Sequence, residues 1–182
     1  MLFSRNQEQK LILKAKKDPE AFASLYNFYF PKIFRFTAYR VGGLENTEDI
    51  VADIFEKAFK NLDKFQWQKN ATFASWLFRI ARNTIIDFYK KKKVVIDLNN
   101  LPEIKSHEIL ASDQVKRQEL FRQLQKLVSS LPARQAEIVS LRFFGERKNK
   151  EIAAILQISE KTVASNLCRG LRRLHEKYKE VQ

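Results

Sequence analysis

Residues 151–178 read EIAAILQISEKTVASNLCRGLRRLHEKY, and the fold of this stretch decides how the rest of the chain is read. Ile152, Ala153, Ile155 and Leu156 give a short helix an apolar side, and Gln157-Ile158-Ser159 interrupts the pattern before a second, longer periodic run. Ser159 suits an N-cap because its hydroxyl can accept a backbone N–H two or three residues on, and Ile158 and Val163 sit at the spacing of a hydrophobic staple. Val163, Leu167, Leu171, Leu174 and Tyr178 recur every three or four residues, which predicts one stripe of the second helix turned to a core. Lys161, Ser165, Asn166, Arg169, Arg172 and Arg173 are left on the polar faces, where a duplex major groove is a natural partner. Taken alone, the stretch fits two readings equally: a helix-turn-helix, or an αα-hairpin of a bundle with a solvated basic face.

Composition narrows the class. The chain has 182 residues, 45% hydrophobic and 30% charged, enough for one medium domain or two small ones with real cores. It has no apolar run near the ~18 residues of a membrane span and no signal-peptide pattern at the N-terminus, so the expected location is cytoplasmic. The single Cys168 excludes an intramolecular disulfide, and His107 and His175 make no metal cluster with it.

Charge gives the chain its direction. Lys and Arg number 18 against 10 Asp and Glu in residues 1–93, 1 against 3 in 94–112, and 15 against 8 in 113–182. Two basic segments around an acidic interval suggest two contacts with one polyanion, because each neutralised phosphate releases counterions. An anionic membrane surface is the weaker reading, since the basic residues flank stripes that look buried.

Upstream, the pattern is helical throughout. Leu11, Ile12 and Ala15 mark a short first helix; Asp18-Pro19-Glu20 then starts a second as cap, first helical residue and dipole partner. Phe22, Leu25, Tyr26, Phe28 and Tyr29 read as core aromatics and aliphatics, and Pro31 predicts a kink or break before Ile33, Phe34 and Phe36. Gly42-Gly43 ends this segment, and Asn46 or Thr47 is placed to cap the next. There Ile50, Ile54, Ala58 and Leu62 form the strip, while Glu48, Asp49, Asp53 and Glu56 cluster on the N-terminal half. That patch agrees with the helix dipole, or forms a docking face for a basic protein partner; without a nearby histidine, Asp49 and Asp53 read as surface rather than metal ligands.

Residues 65–72 read as a loop bearing Trp67, and a strong helix follows with Phe73, Trp76, Leu77, Ile80, Ala81, Thr84, Ile85 and Phe88 on its apolar side. Arg79, Arg82, Asn83 and Lys90, Lys91, Lys92 and Lys93 supply the polar positions; four consecutive lysines exceed what a helix dipole needs, and phosphate contact is the preferred explanation. Residues 94–112 lose the periodicity and read as a linker. A helix resumes at Asp113 with Val115, Leu120, Leu124, Leu127 and Leu131, and Pro132 starts another carrying Ala136, Val139, Leu141 and Phe143 before Gly145 closes it. The predicted class is all-α, two helical domains at 1–93 and 113–182 joined by the linker 94–112. No nucleophile motif, Gly-rich phosphate loop or metal spacing appears, so neither an enzyme nor a cofactor is expected.

Three segments together resemble the extracytoplasmic-function group of bacterial sigma factors: DPEAFASLYNFYFPKIFRFTAYR with ENTEDIVADIFEKAFKNLDKF, then FASWLFRIARNTIIDFYKKKK, then LPARQAEIVSLRFFGERKNKEIAAILQISEKTVASNLCRGLRRL. WLFRIARN is the most specific of these. The resemblance implies that residues 49–62, through Asp49, Asp53, Phe55 and Glu56, dock on the β′ clamp helices of core RNA polymerase. It implies that Trp67, Arg79, Arg82 and Asn83 read and open the −10 element with Lys90, Lys91, Lys92 and Lys93 near the backbone. It further implies that the helix-turn-helix, through Lys161, Thr162, Ser165, Asn166, Arg169, Arg172 and Arg173, reads the −35 element of promoter DNA near the β flap. An anti-sigma factor is a further partner of such proteins. The chain departs from the family pattern at Gln157, where Gly is common, at Lys148, where Ser or Thr is common and Asn149 is the expected substitute cap, and at Ala164 and Asn166, where a basic pair is common. The rival readings are a polymerase-independent helix-turn-helix regulator and a basic adaptor for protein or RNA.

Overall fold

A computed structural model describes residues 5–41, 44–67, 72–96 and 112–180, with side chains at 6–41, 46–67, 72–91 and 119–179. Every regular element among them is helical: α1 (Arg5–Ala15), α2 (Pro19–Val41), α3 (Leu44–Lys60), a 3-10 turn (Leu62–Lys64), α4 (Phe73–Ile96), α5 (Ser112–Ser129), α6 (Ala133–Phe143), α7 (Asn149–Leu156) and α8 (Glu160–Glu180). The all-α expectation holds, with α1–α4 forming one helical half and α5–α8 the other. The predicted linker lies mostly outside the described residues, as do Gly42 and Gly43.

In the N-terminal half, Asp18 caps α2 as its sequence suggests, its Oδ1 accepting the Glu20 N–H at 2.9 Å. Ala21, Leu25, Tyr29, Ile33 and Phe36 recur along the buried side. Pro31 does not break the helix. It lies on the exposed side, where its ring meets solvent rather than core, while the buried Tyr29 and Ile33 pin both flanks to one core. Likewise neither Asn46 nor Thr47 caps α3, which begins earlier, at Leu44. Thr47 is fully buried in line with Ile50, Val51 and Ile54, a register that places it inside the helix rather than ahead of it.

The aromatics read as core do form one. Phe73 meets Tyr29 at 5.4 Å and Phe65 at 5.5 Å between ring centroids, and Phe65 also meets Trp76 at 5.2 Å. Such tilted and edge-on pairs add about 0.5–1.5 kcal/mol each beyond the area they bury. Thr72 caps α4, its hydroxyl accepting the Ser75 N–H at 3.2 Å. The helix then runs to Ile96, three residues past the end that periodicity suggests.

The C-terminal half is built around α6. Its residues Gln135, Ala136, Glu137, Ile138, Val139, Ser140 and Leu141 are all buried, an all-round burial that no surface helix shows. One side meets α5 and α8; the other meets α2 of the N-terminal half. Ile138, Leu141, Ile152, Ile155, Leu156 and Val163 accordingly join the same apolar cluster as Phe36, Phe78 and Ala81. Gly145 explains the close fit, because a Cβ there would stand 2.8 Å from Cε1 of Phe78. Its use is close approach as well as helix termination.

Candidate nucleic-acid interface

The helix-turn-helix is formed by α7 and α8. Gln157 closes α7 in the left-handed region (φ 55°, ψ 45°), where glycine is free of strain and another residue gives up roughly 1–2 kcal/mol. Ser159 caps α8, its Oγ accepting the Thr162 N–H at 3.0 Å. Asn149 does not cap α7: it is the first helical residue, with Lys148 extended ahead of it. Glu151 does the work from inside the helix, accepting the Lys148 N–H at 2.9 Å and pairing with Arg147 at 3.0 Å. A lysine side chain has no acceptor, so the reciprocal half of a capping box is absent.

The inward stripe of α8 differs from the one its leucines suggest. Val163 is fully buried and Gly170 is buried, with Leu167 and Leu174 half-buried, whereas Leu171 is 40% exposed and Tyr178 54% exposed. Gly170, not Leu171, faces α6: a Cβ there would lie 3.1 Å from Cγ2 of Val139 and 3.5 Å from Cβ of Gln135. The 163, 167, 170, 174 row keeps helical spacing, and the glycine lets the two helix backbones approach. Along the opposite side Lys161, Thr162, Ser165, Arg169 and Arg172 are exposed and Asn166 is half-exposed. Asn166 donates to the Thr162 carbonyl at 2.9 Å and Arg169 Nε to that of Ser165 at 3.3 Å. These are bonds within α8, and a nucleic acid can displace them. Arg173 reaches inward as well, its Nη1 donating to Oε1 of Gln135 at 2.9 Å.

The predicted −10 residues on α4 meet a different environment. Arg79 Nη2 donates to the Ala154 carbonyl of α7 at 2.8 Å, and Arg82 Nε donates to Oε1 of Glu137 on α6 at 2.7 Å. Glu137 is 7% exposed and is also met by Arg134 at 3.3 Å. Asn83, Lys90 and Lys91 are exposed, while the side chains of Lys92 and Lys93 lie outside the described residues. Trp67 is half-buried, edge-on to Phe65 at 6.0 Å. The structure therefore brings Arg79 and Arg82 to one face of α4 and covers that face with the chain's own C-terminal half.

On α3, Asp49, Asp53 and Glu56 are exposed along one side. Asp53 lies 4.0 Å from Lys57, and Glu56 pairs with Lys60, whose charge and hydrogen bond hold its carboxyl below the ordinary value. Phe55 does not belong to this side: it is 5% exposed and packs on Tyr26 at 4.5 Å. The exposed aromatic is Phe59, 48% exposed and edge-on to Phe22 at 4.9 Å. Counting three or four residues from Glu56 rather than from the patch as a whole identifies it.

Comparison with known proteins gives this geometry a family. Residues 25–94 match the model for Sigma-70 region 2, and residues 121–174 match that for Sigma-70, region 4. The chain is 30% identical over 184 residues to the ECF RNA polymerase sigma factor SigW of Bacillus subtilis (strain 168), covering 95% of this chain and 97% of that protein. The ECF RNA polymerase sigma factor RpoE of Cereibacter sphaeroides is 25% identical over 166 residues, with 90% of each chain covered. Among solved structures, CnrH in complex with the cytosolic domain of CnrY shares the fold at a TM-score of 0.75 and 20% identity, over 96% of this chain and 99% of that one. The RpoE of Bartonella quintana, solved with the anti-sigma factor NepR, does so at 0.67 and 23%, over 87% and 96%. No helix among the described residues is long and apolar enough to cross a membrane. With region 2 and region 4 present in order, and a full-length relative at that identity, the chain belongs to the ECF RNA polymerase sigma factors.

Proposed function

We propose that the chain acts in the cytoplasm as a transcription initiation factor that binds core RNA polymerase, directs it to a restricted promoter set and helps open the DNA, with no covalent chemistry of its own. The observation that carries this reading is the order of the two matched segments, region 2 over 25–94 and region 4 over 121–174. A polymerase-independent regulator needs the second without the first. In this assignment residues 1–93 hold the clamp and the −10 element, 94–112 connect, and 113–182 hold the −35 element.

Each role has a physical basis in its residues. The exposed Asp49, Asp53 and Glu56 form an acidic side on a basic protein, complementary to a basic partner and poorly suited to DNA. Arg79, Arg82, Asn83 and the lysines from Lys90 onward supply donors and cations along α4, and a base captured after leaving the stack offsets the cost of unstacking without ATP. Trp67 adds an aromatic face beside that helix. Lys161, Thr162, Ser165, Asn166, Arg169 and Arg172 project from α8 toward a major groove, with Arg173 at its edge. Ala164 and Asn166, which replace a basic pair, shift the balance from phosphate attraction toward base reading, and the Asn166 amide carries the donor and acceptor that adenine takes once its bond to the Thr162 carbonyl is given up. RpoE of Bartonella quintana is solved with an anti-sigma factor, and a protein inhibitor of that kind is part of this proposal.

Transcription in vitro tests it. Purified chain with core polymerase is expected to start transcripts at defined positions on a genomic promoter library; an absence of specific starts on every promoter rejects the reading. Asp53→Lys is expected to weaken core binding by ~1 kcal/mol, the upper end for an exposed ion pair, with the thermal midpoint unchanged. Unchanged core affinity removes the docking role of that side of α3.

A further inference from the structure

We infer that Lys16 is a positioning residue for the −10 contact: its ammonium group holds the backbone at Asp63 and Phe65 and so sets where Trp67 stands beside α4. The role in reading DNA rests on the −10 assignment of Trp67; the placement of Trp67 does not.

Helix ends leave carbonyls without a partner, and a cation is the group that suits them. The 3-10 turn Leu62–Lys64 ends at Phe65, whose backbone is already extended (φ −68°, ψ 122°). The Phe65 N–H still donates back to the Leu62 carbonyl at 3.0 Å, but with an extended backbone the turn stops there and the Phe65 carbonyl looks outside it for a donor. Lys16 supplies one from 49 residues away, its Nζ donating to the Phe65 carbonyl at 3.0 Å and to that of Asp63 at 3.1 Å. A peptide unit is planar, so fixing the Phe65 oxygen also fixes the Gln66 nitrogen and the direction in which the chain leaves toward Trp67.

Both ends of this tie are anchored. Lys16 follows the last turn of α1, where Ile12 and Ala15 are buried in the same apolar cluster as Leu62 and Phe65. Its own N–H donates to the Ile12 carbonyl at 3.3 Å. The neighbouring Lys14 is exposed and pairs with Asp18 at 3.1 Å, whereas Lys16 is half-buried and turned inward. At the other end the Phe65 ring packs on Phe73 and Trp76 of α4 and meets Trp67 edge-on. Phe65 is thus gripped through its ring by α4 and through its carbonyl by Lys16, and Trp67, two residues on, is aimed by both.

A surface lysine at a helix end stabilises the fold and does nothing more. Lys16 differs in that it reaches backbone rather than a carboxylate, so the bond fixes a chain direction instead of a charge balance. A recognition group has to be held to within about 0.5 Å of its working position. Loss of Lys16 is therefore expected to act on promoter opening while core binding is kept.

Lys16→Met keeps the apolar stem and removes the donor, and Lys16→Arg keeps a donor. In the full-length chain with core polymerase, Lys16→Met is expected to lower opening, read by permanganate reactivity of unpaired thymines, by about tenfold, within the ~100-fold that a misplacement of ~1 Å can cost. It is expected to relax preference in the −10 element among selected opened promoters, with core affinity unchanged, and Lys16→Arg to restore most of the opening. If the methionine variant does not fold, the shorter Lys16→Gln is read in its place. In a Trp76→Phe background, where Trp67 is the one remaining tryptophan, Lys16→Met is expected to shift the Trp67 emission to the red and to raise its quenching by acrylamide. Parent-like emission and quenching overturn the placement. Altered emission with parent-like opening and −10 preference overturns the role in reading, as does a fall in opening matched by an equal fall in core affinity. Altered emission in a protein that starts no transcripts rejects the sigma role and leaves the placement standing.

Discussion

Helices α4 and α8 carry similar sequences of arginines at helical spacing, yet one is covered and the other open. On α8, Arg169 and Arg172 face outward, and among the described residues their polar contacts lie within their own helix, the latter 4.0 Å from Glu176. On α4, Arg79 and Arg82 are bound by groups 75 and 55 residues away in sequence. A basic residue at a polar helical position is thus no guide to whether it is free. What decides it is the long-range partner, and a buried carboxylate such as Glu137 is stable only if a cation comes to it.

The largest effect is expected where the covered side is apolar. Phe78→Ala removes a fully buried ring, and large-to-small changes of that kind cost about 3–5 kcal/mol. A chemical denaturation series is expected to show that loss, together with faster arginine modification on α4. A fall below ~1 kcal/mol means that the contact between the halves contributes little.

Next comes the open side. Arg169→Ala is expected to weaken promoter binding by about 1–3 kcal/mol and to relax preference at one position of the upstream element, measured by selection of bound sequences. A uniform loss across all sequences with a shallower salt slope assigns Arg169 to phosphate instead. Either result sharpens the contrast, because the same change at Arg82 is expected to act on the contact with Glu137 as well as on DNA.

The smallest effect concerns pH. Burial raises the Glu146 carboxyl, but the hydrogen bond and charge of Arg35 and the charge of Lys32 outweigh it and hold the group below its ordinary value. A depressed carboxyl contributes its full stabilisation above the ordinary glutamate range and loses it as pH falls through the lowered value. Acidification is therefore expected to lengthen the distance between the halves, and Glu146→Gln to remove that part of the pH response.

Local signals were legible before the structure, and long-range ones were not. Asp18 and Ser159 cap where their hydrogen-bonding chemistry suggests, and the aromatic density of α2 is core because rings at helical spacing bury well. At Pro31 and Asn149 neighbouring contacts override the local rules: the buried Tyr29 and Ile33 hold the helix on both sides of the exposed proline, and Glu151 caps in place of Asn149. Leu171 and Gly170 show a subtler limit, since apolar periodicity counts side chains and overlooks a glycine chosen for closeness. The docking role that the family resemblance implies for Phe55 meets a buried ring, one position off the acidic row. The contacts that hold Arg79 and Arg82 have no local signal at all, because they depend on Ala154 and Glu137 in another segment.

If Arg79 and Arg82 act at the −10 element as proposed, the segments that bind them, Ala154 on α7 and Glu137 on α6, must move off α4 in the initiation complex, and one measurement tests this directly. The distance between spin labels at Asn27→Cys and Ser129→Cys, in a Cys168→Ala background, is measured in the free chain and again with core polymerase and promoter DNA. The account predicts a short, narrow population in the first and a longer one in the second. The same distance in both states contradicts it.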